Sequence, residues 1–147
     1  MKTIFYNSRI AEFFTYRRGF KTIMLFGFIF TEKKELSNVA IYHESIHQRQ
    51  YVGMLVVGLL LAALASLVFG LSWIWFALGI LLYYIIYVAE WLVRLIQYDY
   101  PDDAYYNISF ERQAYALQGD YRMPKSSRRR RTFFGWIKFL NSGEIIL

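Results

Sequence analysis

The chain has 147 residues, of which 56% are hydrophobic, 20% aromatic and only 19% charged. So few charges cannot cover the surface of a water-soluble domain, and the composition is typical of one membrane domain spanning residues 1–147. The formal net charge is +6, but the basic residues flank apolar runs, so we expect anionic lipid headgroups as the partner and no nucleic acid.

The first ordered element that we predict lies at residues 22–31, which are apolar, β-branched and aromatic. The segment is too short to cross a bilayer as a helix, and it is typical of a strand or of a hairpin bent at Gly27. A polar stretch closes it, and Ser37 or Asn38 would cap a helix that starts near Val39.

Two apolar runs follow. Residues 52–69 and 71–89 carry no charge, and each just reaches the length of about 20 residues that a helix needs to cross a bilayer. The sequence therefore predicts an antiparallel pair of transmembrane helices at about 52–69 and 71–90, with a tight turn at Gly70. The alternative is a long buried helical hairpin in a soluble protein.

The orientation follows from the Lys and Arg residues, which lie before and after the two runs and not in the turn between them. They are Arg17, Arg18, Lys21, Lys33, Lys34 and Arg49 on one side, and Arg94, Lys125 and 128–131 on the other. The positive-inside rule then predicts an integral protein of the cytoplasmic (inner) membrane with both termini cytoplasmic. Residues 1–50 and 98–147 would form a small cytoplasmic α+β cap.

Beyond the second run, residues 98–103 contain Pro101 and should end the helix. A new helix fits residues 109–118, with Asn107 or Ser109 as its cap and Gly119 as its stop. The basic run 126–131 then leads into residues 132–140, which look like an amphipathic segment at the membrane interface.

The chemistry-bearing motif is His43-Glu44-Ser45-Ile46-His47, placed on the helix that leads into the first span. Residues four apart share one helical face, so the two imidazoles can bind one Zn²⁺. The intervening Glu44 can then act as general base towards a metal-bound water. The alternatives are a chance match and a pair of pH-responsive histidines at the interface.

A catalytic zinc needs a third protein ligand. The chain has no cysteine and no third histidine, so that ligand must be a carboxylate. The candidates are Glu90, Asp99, Asp102, Asp103, Glu111, Asp120 and Glu144. We favour Glu111, because the small Ala114 and Ala116 beside it would let two helices approach closely; the alternative is that Glu111 belongs to a solvated face.

Glu90 lies near the cytoplasmic end of the second span, where ionisable groups are usually functional. We expect it to orient a zinc-bound histidine by accepting its free N–H. The alternative is an ion pair with Arg94, one helical turn further on.

The motif with a later helical Glu111 resembles the gluzincin class of zinc metallopeptidases. Among these it looks like the membrane members: the metallopeptidase domains of antibiotic sensor-transducers, and the HtpX-like and CAAX-processing proteases. It is also similar to small bacterial membrane proteins of unassigned function. The resemblance implies that His43, His47 and Glu111 are zinc ligands and that Glu44 is the base. The Asp that often follows the ligand Glu in gluzincins is missing here.

Gluzincins commonly present a strand beside this helix, and residues 22–31 would supply it. Tyr115, one turn past Glu111, could donate a hydrogen bond to an oxyanion, or it could be an interfacial aromatic. We therefore predict a zinc metallopeptidase acting on a peptide or membrane-protein substrate at the cytoplasmic membrane surface. The alternatives are a zinc hydrolase of a lipid or small amphiphile and a non-catalytic, metal-stabilised membrane adaptor.

Overall fold

A computed structural model describes residues 3–16, 21–128 and 132–141, and it is mainly helical with one small sheet. Arg17, Arg18, residues 129–131 of the basic run and Glu144 lie outside the described residues. The elements in chain order are β1 (Ile4–Phe5), α1 (Arg9–Thr15), β2 (Thr22–Leu25), β3 (Phe28–Thr31), α2 (Asn38–Phe69), α3 (Trp73–Gln97), α4 (Pro101–Tyr106) and α5 (Ser109–Gln118). Two 3-10 helices, Gly119–Arg122 and Gly135–Phe139, follow α5.

The predicted hairpin bent at Gly27 is confirmed. β2 and β3 pair antiparallel from Thr22↔Thr31 to Leu25↔Phe28, and β1 adds parallel to β3, so the strand order is β1-β3-β2. β1 and α1 were not predicted, because the aromatic and charged residues of this segment follow neither a strand nor a helix period.

The long helix α2 begins where the sequence indicated. Ser37 is its N-cap and accepts the backbone N–H of Ala40 at 3.2 Å. The helix then runs unbroken through the histidine motif and the first apolar run, and ends at Gly70, whose φ is 90°. Both α2 and α3 are long and apolar enough to cross a membrane.

Helix α3 extends past residue 90, where the predicted span ends. Glu90 and Arg94 are turned towards the protein, with side-chain exposures of 10% and 12%. Most of the outward side chains of this last part are apolar instead: Leu92, Val93 and Ile96 are exposed, and the polar Gln97 is the last residue of the helix. A charged residue in the sequence therefore does not mark the end of the apolar outer face of α3.

The cap of α5 differs from the prediction. Ile108, and neither Asn107 nor Ser109, occupies the N-cap position, and it has no side chain that can accept a hydrogen bond. The carboxylate of Glu90 on α3 does so instead: it accepts the Ser109 N–H at 2.9 Å and the Ser109 hydroxyl at 2.6 Å. The start of α5 is thus tied to α3 by a partner distant in sequence.

Residues 98–103 end α3 as predicted, since that helix stops at Gln97. Pro101 then begins the short helix α4, which was not predicted, because a proline is well tolerated in a first helical turn. In residues 132–140, the ring of Trp136 is buried and stacks on Phe110 with ring centroids 4.4 Å apart. Phe133, Phe134 and Ile137 in the same segment are exposed, as an interfacial segment requires.

The backbones of α2 and α3 approach closely at Gly58 and Gly79. A Cβ atom placed on Gly58 would collide with the backbone carbonyl of Gly79, and one on Gly79 would collide with that of Gly58. Small residues at such a crossing allow the backbones of two membrane helices to touch.

Replacing Gly58 by alanine should therefore lower the thermal stability, because the added methyl group forces the helices apart; overpacking of this kind costs about 1–3 kcal/mol. Gly119→Ala is the matched control, since a Cβ there meets nothing within 4 Å and the backbone is helical. It should leave the stability unchanged or slightly higher. Thermal unfolding in detergent measures both, and an unchanged Tm for Gly58→Ala would contradict this helix contact.

Candidate metal centre

Three ligand-bearing side chains meet between α2 and α5. His43 and His47 lie one turn apart on α2, Glu111 lies on α5, and all three are buried. The two Nε2 atoms are 3.1 Å apart. Oε2 of Glu111 lies 3.3 Å from Nε2 of His43, and Oε1 lies 3.3 Å from Nε2 of His47.

The hydrogen bonds of Gln50 determine which nitrogen of His47 carries the hydrogen. Nε2 of Gln50 donates to the carbonyl oxygen of Phe110 at 3.0 Å and to Oε1 of Gln113 at 2.9 Å. The amide oxygen of Gln50 must then face Nδ1 of His47, 2.8 Å away. An amide oxygen only accepts, so a neutral His47 is protonated at Nδ1 and has its lone pair at Nε2.

His43 has an equivalent partner. Its Nδ1 lies 3.1 Å from Oε1 of Gln118, which again places the hydrogen on Nδ1 and the lone pair on Nε2. Two imidazole lone pairs and a carboxylate therefore converge on one point. Electron-rich atoms at this separation repel one another unless a proton or a metal cation lies between them.

These three residues fit a zinc ion in spacing and in donor type. Ligand atoms that are about 2.0–2.1 Å from a tetrahedral zinc lie roughly 3.3–3.4 Å from one another, which is close to the 3.1 and 3.3 Å separations found here. Two imidazoles and one carboxylate also form a donor set that catalytic zinc uses. Of the acidic candidates that the structure describes, Glu111 is the one that joins the histidines.

The Glu111 carboxylate is held in place and in its charged form. The hydroxyl of Tyr87 on α3 donates to Oε1 at 2.7 Å. Burial alone would raise the pKa of Glu111. When a proton rather than a metal lies between the three groups, the positive charge of His47 and hydrogen bonds from the Nε2 side of both rings hold that pKa well below its usual range. The group is therefore an ionised ligand at neutral pH.

Glu44 and Tyr115 lie beside the three ligands. Glu44 is half-buried and close enough to His43, His47 and Glu111 for their charges to act on its carboxyl group. The ring of Tyr115 lies 4.7 Å from that of His43, centroid to centroid. Burial, followed by the charge of Glu111, raises the pKa of the Tyr115 hydroxyl, so this group keeps its proton and can donate a hydrogen bond.

Glu90 and Arg94 lie away from the histidines. The Glu90 carboxylate accepts hydrogen bonds from Ser109 and from Nη2 of Arg94, the latter at 3.3 Å. Arg94 also donates to the carbonyl oxygen of Leu140 at 2.8 Å. The histidine-orienting position that we predicted for Glu90 is taken by Gln50 and Gln118, while Glu90 holds the start of the helix that carries Glu111.

Sequence reasoning missed the residues that orient the three ligands. Gln50 follows His47 by three residues, and Gln118 follows Glu111 by seven, so each shares a helical face with a ligand. That spacing is the signal that could have identified both glutamines. Tyr87 had no such signal, because it is one of 13 tyrosines and lies on a different helix.

Comparison of the chain with protein-family models, curated proteins and solved structures finds no match. The resemblance to gluzincins therefore rests on the motif and on Glu111 alone and stays a prediction.

The role of Gln50 is testable through His47. Gln50→Leu removes the acceptor of the Nδ1 hydrogen, so the zinc affinity should fall by about 10- to 100-fold. Nitrogen-15 NMR of the zinc-bound protein should place a hydrogen on Nδ1 of both rings in the wild type. The chain has only two histidines, so Gln50→Leu should change the signals of one ring.

Gln118→Leu is the matched variant, and it should change the signals of His43 and leave those of His47 in place. A wild-type spectrum with the hydrogen on Nε2 of His47 would contradict the hydrogen-bond pattern described above.

Proposed function

We propose that this chain is a membrane-embedded zinc-dependent hydrolase, and specifically a metallopeptidase that cleaves amide bonds near the cytoplasmic membrane surface. The observation that carries the proposal is the convergence of the Nε2 atoms of His43 and His47 with the Glu111 carboxylate at 3.1–3.3 Å. Zinc held by these residues would supply Lewis acidity and lower the pKa of a bound water.

The number of ligands supports a catalytic site over a purely structural one. Structural zinc sites close with four protein ligands, whereas catalytic sites keep one position open. Among the described residues the group consists of His43, His47 and Glu111, so a tetrahedral zinc would have its fourth coordination position left for water. The adaptor alternative would also use these ligands, since they join α2 to α5, but it would have no need of Glu44.

Two side chains have roles that follow from their positions. Glu44 would accept a proton from the attacking water and pass it to the leaving amine, because it lies beside all three ligands. Tyr115 would donate a hydrogen bond to the oxygen on which negative charge develops, because its protonated hydroxyl belongs to a ring packed against His43.

A peptide substrate is favoured by the small sheet next to the motif helix. Gln48, the residue after His47, donates through Nε2 to the carbonyl oxygen of Gly27 at 2.7 Å. Within the described residues β2 has β3 as its one strand partner, and an extended peptide can add to such an edge. A lipid or small amphiphile would not use a strand edge.

We further propose that α2 and α3 span the cytoplasmic membrane with both termini in the cytoplasm, because the turn at Gly70 carries no basic residue. The chain has no cysteine, so a cysteine introduced at Leu71, the exposed residue that follows Gly70 in this turn, is unique. In intact cells it should react with a membrane-impermeant maleimide applied from outside. Labelling that requires lysis would contradict this orientation.

Substitutions that separate the role of Glu44 as base from that of Glu111 as ligand test the proposed function most directly. Glu44→Gln keeps both imidazoles and Glu111 but removes the proton acceptor, so the metal should stay while hydrolysis falls by about 10²- to 10⁴-fold. Glu111→Ala removes a ligand, so metal and activity should be lost together. The measurements are elemental analysis for zinc and iron, since iron accepts the same donor set, and turnover of labelled peptides and lipid amides in liposomes.

Glu35→Gln is the control, because Glu35 is an exposed carboxylate outside the site, and it should change neither quantity. A wild-type protein that lacks metal after chelator-free purification would sink the proposal. Metal binding with no dependence of turnover on Glu44 would favour the adaptor, and cleavage of lipid amides but not peptides would favour the amphiphile hydrolase.

A further inference from the structure

The turn between β2 and β3 contains an unusual residue. It is a two-residue loop with both residues in the left-handed region: φ is 51° at Phe26 and 82° at Gly27. Glycine suits this conformation, but the first position of such a turn normally holds Asn, Asp or Gly, because a bulky side chain is strained there. A phenylalanine at this position needs contacts that offset the strain.

Some of those contacts come from α2 and α3, the proposed membrane helices. The backbone N–H of Phe26 donates to the hydroxyl of Tyr84 on α3 at 2.6 Å, and the two ring centroids are 5.4 Å apart. The ring of Tyr51 on α2 lies 6.2 Å away. At 1.5 Å per residue, Tyr84 lies about 9 Å before Glu90 along α3, and so inside the second span. The tip of the hairpin therefore reaches below the cytoplasmic end of that span.

The outer faces of the hairpin tip and of α3 are both apolar. On α3, Leu81 and Val88 lie at helical spacing from Tyr84, Ile85 lies between them on the same outer face, and all three are exposed. The ring of Phe26, which packs against Tyr84, is 49% exposed, and Phe28, two residues further on at the start of β3, is 41% exposed. If hydrocarbon covers Leu81, Ile85 and Val88, it also covers the Phe26 ring that packs against Tyr84, and Phe28 follows it at the same tip of the hairpin.

We propose that the tip of the β2–β3 hairpin, Phe26 to Phe28, is immersed in the cytoplasmic leaflet of the bilayer and anchors the sheet there. This inference rests on the proposed membrane embedding of α2 and α3. It places the strand next to the metal centre at the depth of the lipid headgroups and upper acyl chains. The substrate that such a site accepts is an extended peptide segment lying in or emerging from the membrane.

Spin-label depth measurements test the proposal in the full-length protein. The chain has no cysteine, so Phe28→Cys, Ile85→Cys and Glu35→Cys each give one labelling site. In anionic vesicles, the nitroxide at position 28 should be more accessible to oxygen than to a water-soluble nickel chelate, as at the outward-facing position 85. The nitroxide at position 35, in the exposed polar stretch before α2, should show the opposite order.

A second variant separates membrane insertion from the integrity of the turn. Phe26→Asn places a preferred residue at the left-handed position, so the hairpin should persist while its apolar anchor is lost. The label at position 28 should then shift towards the values measured at position 35. A label at position 28 that is water-exposed in the wild type, beside a lipid-exposed label at position 85, would overturn the inference alone. Water exposure at position 85 as well would overturn the membrane embedding and the inference with it.

Discussion

The repulsion between three lone-pair donors at the contact of α2 and α5 is the constraint on which the rest of the structure depends. Nε2 of His43, Nε2 of His47 and the Glu111 carboxylate approach to 3.1–3.3 Å inside the protein. A buried carboxylate beside two imidazoles is unfavourable unless a positive charge is shared among them. A bound cation would convert that repulsion into the link that joins the motif helix to α5.

Holding this arrangement requires the two long helices as a frame. α2 carries both histidines and Gln50, and α3 supplies Tyr87, which donates to Glu111, and Glu90, which binds the start of α5. Around these polar groups lies an aromatic core that includes Tyr83, Phe110 and Trp136. The apolar helices and the metal centre are therefore one unit. In a membrane, the packing of α2 against α3 would both stabilise the two helices in lipid and position the metal ligands.

Local patterns in the sequence predicted the long helices, the hairpin turn and the two histidine ligands. The features that were not predicted depend on partners that are distant in sequence. Helical spacing placed His43 and His47 on one face, the left-handed preference of glycine located the turn at Gly27, and Ser37 acted as a cap, as local chemistry dictates. The cap of α5 could not be predicted locally, because its acceptor, Glu90, lies on another helix. The break of α3 at residues 98–103 was predicted, since the helix ends at Gln97. The apolar outer face beyond residue 90 was not, because Glu90 and Arg94 face inwards and periodicity alone does not say which charges are turned away from lipid.

X-ray absorption spectroscopy of the zinc-loaded protein tests the central claim most directly, since it counts the ligands around the metal. For the proposed site we expect a four-coordinate zinc with two imidazole nitrogens, one carboxylate oxygen and one further light atom, at about 2.0–2.1 Å. His47→Ala should remove one imidazole from the spectrum. A six-coordinate shell of oxygen atoms without imidazole scattering would contradict a zinc site built on His43, His47 and Glu111.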